Sequence, residues 1–210
     1  MFSICTVYPP EGHLEKELLD LKESEKRFTK EIGVLERSFY QCIQLPNIIW
    51  ANTEWVSENH HNDAAESIMK VRRDDRISAA YFPNGLYYEV FCNEIEEAAF
   101  TVPTGLSGNL VVICHGPVAL NRIDTWREAL KKQVESLSDY DALISLRVFH
   151  NYYGPAEFIG VMEWSSESNY NATRIKDGYS VEETLFTGLM GGSSLLAAYN
   201  QFLCRHISMK

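Results

Sequence analysis

The chain has 210 residues, enough for one large domain or two small ones. Its 45% hydrophobic residues supply a packed core, and a net charge of -10 repels phosphate backbones, which argues against a nucleic-acid partner. No apolar run approaches the roughly 20 residues that cross a bilayer, so no membrane partner is expected.

The N-terminal run Met1–Tyr8 lacks a basic segment, breaks at Pro9-Pro10 and reads as a strand rather than a signal peptide. Residues 11–32 are charged and amphipathic, with Leu14, Leu18, Leu21, Glu25 and Phe28 spaced for one helix face, and Gly33 ends that helix. Residues 34–44 and 48–55 are strands rich in aromatic and branched side chains, separated by a Pro46-Asn47 turn. Ser57 is a candidate N-cap for a helix running to about Arg72, and residues 86–95 form a fourth strand. The order recurs with a strand over 110–115, a helix over 124–136, strands over 142–152 and 157–164 around Gly154-Pro155, a helix capped by Ser166, and a last strand within 195–207.

The recurrence is visible residue by residue. Residues 54–62 (EWVSENHHN) and 163–171 (EWSSESNYN) share Glu-Trp-x-Ser-Glu-x-x-x-Asn at an offset of 109. The same offset pairs Cys5 with Cys114, Phe39 with Val148, and Pro46 with Pro155. Near the ends, residues 90–95 match 202–207 at an offset of 112, which implies a three-residue insertion before the last strand. The fold class expected is therefore α+β: two tandem ferredoxin-like βαββαβ units, 1–98 and 109–210, joined by a linker at 99–108. An antiparallel sheet with both helices on one face needs a cover on the other, so the two copies are expected to pack as an intramolecular pseudo-dimer, as a monomer or a further homodimer.

The five cysteines, Cys5, Cys42, Cys92, Cys114 and Cys204, are odd in number and scattered. That pattern excludes a disulfide framework and a Cys-x-x-Cys metal knuckle, and suits reduced thiols in a cytoplasmic protein. No metal site is expected.

A strand ending in Trp-x-Ser-Glu and entering a helix with a downstream Asn resembles the dimeric α+β barrel superfamily, and within it the antibiotic biosynthesis monooxygenase-like proteins. The resemblance covers nearly the whole chain, once per half. It implies either cofactor-independent oxidation of a small aromatic or polyketide-like compound, or a haem-binding or haem-degrading protein. A non-catalytic small-ligand-binding or stress-response module of the same fold is the third alternative. Haem-degrading members carry an Asn on the first strand and a haem-ligating His near the end of the second helix. This chain has no Asn at residues 4–8 or 112–116 and no His at 72–73 or 176. Duplicated haem enzymes resembling the chlorite dismutase family carry haem on the C-terminal half, where this chain has a histidine excess.

Both halves keep the Glu54-Trp55 and Glu163-Trp164 pairs, which fits a structural role for them. The asymmetric residues are better candidates for chemistry. His115, His150 and His206 fall on strands of the second half where the first half has Thr6, Gln41 and Glu94. If they converge they are the catalytic base, with Trp164, Tyr152, Asn171 and Trp55 lining an apolar ligand pocket. Because one slip in strand phase reverses the face, the convergence depends on register. His60 and His61 are adjacent on a helix and read as a solvated turn. Gly188–Ser194 lacks the Lys of a phosphate-binding loop and reads as a lid beside a pocket.

Overall fold

The computed structural model describes residues 1–9, 11–26, 32–74, 87–96, 99–101, 108–117, 123–137, 140–151, 153, 157–173, 175–176, 179–180 and 200–208. They fall into two compact units, Met1–Cys92 with His206–Lys210, and Asn93–Arg205. Tyr152, the Gly154-Pro155 turn and the Gly188–Ser194 loop lie outside the described residues.

The first unit runs β1 (Phe2–Val7), α1 (Leu14–Glu25), β2 (Val34–Cys42), β3 (Ile49–Trp55), α2 (Glu58–Asp74) and β4 (Tyr87–Glu94). Its strands pair antiparallel in the order β4-β1-β3-β2, the order of a ferredoxin-like sheet. The second unit adds a two-residue strand, β5 (Phe100–Thr101), within the segment expected to be a linker. It continues with β6 (Leu110–Pro117), α3 (Ile123–Leu137), β7 (Leu143–Asn151), β8 (Glu157–Trp164) and α4 (Glu167–Thr173). Two short strands, β9 (Ile175–Lys176) and β10 (Tyr179–Ser180), precede β11 (Asn200–His206). The order β11-β6-β8-β7 repeats that of the first unit, with β5 added beside β7.

The registers match as closely as the order. Phe2 lies opposite Glu54 in the first sheet and Val111 opposite Glu163 in the second, the same offset of 109 on both strands. Gln41 opposite Ile49 becomes His150 opposite Phe158. A bulge between Val34 and Glu36 recurs between Leu143 and Ser145. On the last strand, Phe2–Cys92 becomes Val111–Cys204, at the offset of 112 expected there.

Pleating sends alternate residues to opposite faces, and the registers therefore sort every side chain. In the first unit Cys5, Val7, Phe39, Ile49 and Ala51 share a face and pack with Leu14, Leu18 and Leu21 of α1. This is the helix face expected from the sequence. The described helix ends at Glu25, whose carboxylate accepts a hydrogen bond from Arg37 on β2 (3.2 Å), and residues 27–31 of the expected helix lie outside the described residues. Gly33 lies beyond that helix end rather than capping it. Its φ of +87° favours glycine, and a Cβ there would meet the His60 ring at 2.5 Å.

Both expected N-caps form. Ser57 Oγ accepts from the His60 amide (3.4 Å), and Ser166 Oγ accepts from the Asn169 amide (3.1 Å). Each cap sets the same packing one residue later. His61 and Tyr170 are buried at equivalent positions and meet Trp55 and Trp164 edge-on, at 5.1 and 5.2 Å between ring centroids.

The two tryptophans differ at the indole nitrogen. Trp55 Nε1 donates to Ser3 Oγ at 3.0 Å. The position equivalent to Ser3 is Val112, and the buried Trp164 Nε1 has no hydrogen-bond partner among the described residues. Replacing Ser3 should strand the first indole as well. Ser3→Ala is expected to lower unfolding free energy in urea by about 1–3 kcal/mol; an unchanged midpoint contradicts the buried bond.

Candidate functional site

Three polar clusters stand apart from the shared framework. Each exists in only one unit.

The first lies between α2 and the sheet of the first unit. Glu89 on β4 is opposite Cys5 on β1, so both side chains share the helix-facing side. Glu89 Oε1 accepts from the Cys5 thiol (3.2 Å) and pairs with His61 Nε2 (2.9 Å). The other ring nitrogen of His61 faces Asn62 Oδ1 at 3.2 Å. Trp55 and Phe91 meet the imidazole edge-on at 5.1 and 4.7 Å. Burial by itself lowers the pKa of His61, but the hydrogen bond and the charge of Glu89, with smaller help from Asn62 and Glu58, leave it raised above 6.5. His61 is therefore a buried, partnered group, not the solvated turn expected of it. A residue in the first turn after a cap already commits one face inward, and the cap chooses His61 over the exposed His60. The offsets of 109 and 112 held the missed signal: they set His61 against Tyr170 and Glu89 against Gln201, where Gln201 Nε2 donates to the Tyr170 hydroxyl. The same place in the fold is ionisable in one unit and neutral in the other.

The second cluster lies on the sheet of the second unit. His115 is opposite Ile159 on β8, two residues along from Glu157, and His115 Nε2 hydrogen-bonds Glu157 Oε1. Asn151 Nδ2 donates to Glu157 Oε2 (2.6 Å), and the Tyr153 amide donates to Asn151 Oδ1 (3.0 Å). The equivalent residues in the first unit are Thr6, Ile48 and Cys42.

The third is a cleft of about 460 Å³ in the second unit, lined by Asn93, Glu94, Ile95, His150 and four residues of α3. Asp124, Arg127, Glu128 and Lys131 recur at helical spacing and present one polar face to the cleft. Glu94 accepts from two guanidinium nitrogens of Arg147, Nε and Nη2, at 2.7 and 2.8 Å. The His150 ring stacks on buried Phe158 at 4.6 Å between centroids. Burial, then the nearby charge of Arg127, holds the imidazole pKa below 6.5, so the ring is neutral at pH 7.

Two of the three expected bases, His115 and His150, do not meet. His150 lies opposite Phe158, and His115 opposite Ile159, the next residue of β8. Successive residues point to opposite faces, so the two histidines point away from each other across one sheet. His206 is exposed and belongs to the first unit, where its ring lies 4.8 Å from that of Tyr40. Of the residues expected to line a pocket, Trp55 and Trp164 are core, 3% and 0% exposed, and Asn171 is exposed on α4. The described cleft is charged rather than apolar.

Among the described residues no group of His, Cys, Asp and Glu could hold a metal ion, and no helix is long and apolar enough to cross a membrane. A haem ring needs flat apolar walls, and the charged lining of the cleft does not fit one.

No protein-family model and no curated protein matches the sequence. Solved structures do match. An anthrone oxidase-like protein aligns with a TM-score of 0.72 at 11% identity, over 99% of this chain and 91% of its own. A ferredoxin-fold protein related to antibiotic biosynthesis monooxygenases, from Listeria monocytogenes, aligns at 0.54 and 9% identity, over 99% and 95%. A haem-degrading enzyme from the same species aligns at 0.51 and 11% identity, over 95% and 97%. At such identities the likeness shows the fold alone, the ferredoxin-like arrangement of strands and helices described above.

Proposed function

We propose that the chain is a cofactor-independent, monooxygenase-like enzyme that deprotonates a small acidic aromatic or polyketide-like compound in the His150 cleft and lets dioxygen oxidise it. The observation that carries this reading is His150 itself, a neutral imidazole at the wall of a ligand-sized cleft with Arg127 and Lys131 beside it. A neutral imidazole accepts a proton, and adjacent cations stabilise the anion that forms.

The chemistry balances with dioxygen as the named oxidant. His150 takes a proton from a ring CH2 activated by a neighbouring carbonyl or phenol. The resulting carbanion reduces dioxygen and bonds to one of its atoms. The His150 imidazolium returns its proton to the peroxide anion, and the hydroperoxide then loses water, which takes the outer oxygen, that proton and the remaining ring hydrogen and leaves a quinone-type carbonyl. The names of the structural neighbours, an anthrone oxidase-like protein among them, support this class of substrate. His115, backed by Glu157 and Asn151, is a second proton-transfer group on the other face of the same sheet.

We read the chain as a tandem duplication with halves at 1–98 and 109–210. The shared strand order, the common registers and the repeated bulge support that reading.

Incubation with anthrone-type substrates under air should consume about one dioxygen per product, and His150→Gln should lower the rate at least tenfold, as loss of a general base does. Binding without turnover in both proteins points instead to a ligand-binding module, and no binding overturns the reading. The base works only when neutral, so the rate should fall as pH drops through the lowered pKa of His150. Arg127→Gln removes one of the two causes of that lowering and should move both the NMR titration of His150 and the acid limb of the rate profile to higher pH. An acid limb that stays put contradicts His150 as the base.

A further inference from the structure

We infer that His61 and Glu89 form a proton-controlled latch that fastens the start of α2 to the sheet of the first unit, and that Tyr170 and Gln201 are its proton-independent counterpart in the second. Both pairs occupy the same place in the fold. Each joins the first turn of the second helix to the last strand of the sheet, beside a buried tryptophan that packs edge-on against the helical partner. In the second unit a neutral amide and a hydroxyl make the joint, and neither changes charge near neutral pH.

In the first unit the surroundings of the imidazole are built for two protons. From β4, the Glu89 carboxylate faces Nε2 at 2.9 Å. From α2, Asn62 Oδ1 faces Nδ1 at 3.2 Å, and Glu58 contributes a further negative charge. The rings of Trp55 on β3 and Phe91 on β4 lie perpendicular to the imidazole and carry no charge. On β1, the Cys5 thiol is spent on Glu89. Two acceptors, with no cation facing the ring among the described residues, suit an imidazolium, which donates from both nitrogens; a neutral ring donates from only one. Side-chain exposures of 10% for His61 and 17% for Glu89 shield the pair from solvent.

The sign follows from the geometry. His61 titrates above its ordinary value in the folded chain, so the latch is closed at and below pH 6.5 and opens as pH rises through the folded pKa. Opening releases the cap end of α2, while α4 is unaffected.

Amide hydrogen exchange of the full chain tests this directly. After correction for intrinsic exchange, protection of residues 58–66 in α2 should fall about fivefold to tenfold between pH 6 and pH 8.5, the difference between a charged and a neutral hydrogen bond. Protection of α4 should hold constant. The double variant His61→Tyr with Glu89→Gln installs the second unit's pair and should make α2 insensitive to pH. Constant protection of α2 in the native chain, or a pH response that survives in the double variant, overturns the latch. Should that variant fail to fold, the native comparison of α2 with α4 still decides, together with the NMR titration of His61 in Glu89→Gln, which must move to lower pH.

Discussion

Pleat alternation in two identically registered sheets governs where the polar side chains of this chain go. Once Phe2 faces Glu54, and Val111 faces Glu163 at the same spacing, the facing of the strand residues follows by parity. Trp55 and Trp164 go under the second helix of their units, Cys5 meets Glu89, and His150 turns toward α3. The repeated bulge on the second strand belongs to the same constraint, because both strands reach their tryptophan through it.

On this framework the two units differ in charge and share strand order and register. The first unit places an imidazole and a carboxylate where the second places a phenol and an amide. The second unit sets His115, Glu157 and Asn151 where the first has Thr6, Ile48 and Cys42. Buried ionisable groups are costly unless each finds a partner, and these do. The counterpart unit folds without them, so stability alone does not call for them. Trp164 shows the opposite outcome: Val112 stands where the first unit has Ser3, the indole nitrogen has no hydrogen-bond partner among the described residues, and Tyr140 and Tyr170 pack against the ring.

Much of this was legible in the sequence. The strand from Glu157 to Trp164, the two serine caps and the shift from 109 to 112 all rest on local patterns, and local patterns survive folding. Of the helix expected from residue 11 to 32, Leu14–Glu25 is described as helix, with the ion pair to Arg37 at its last residue, and Phe28 of the expected face lies outside the described residues. His115 and His150 part on parity: they differ by one step in what they face on β8, and no composition rule reads that step. His61 and Glu89 were hidden because burial of a histidine depends on which residue the cap turns inward. The repeat offset carried the signal, in positions where the halves disagree.

The central claim is that one framework holds two histidines in opposite electrostatic settings. A single histidine NMR titration of the native chain tests it. His61, facing Glu89, is expected to titrate above 6.5, and His150, buried near Arg127, below it. Two coincident midpoints, or the reverse order, would contradict the account.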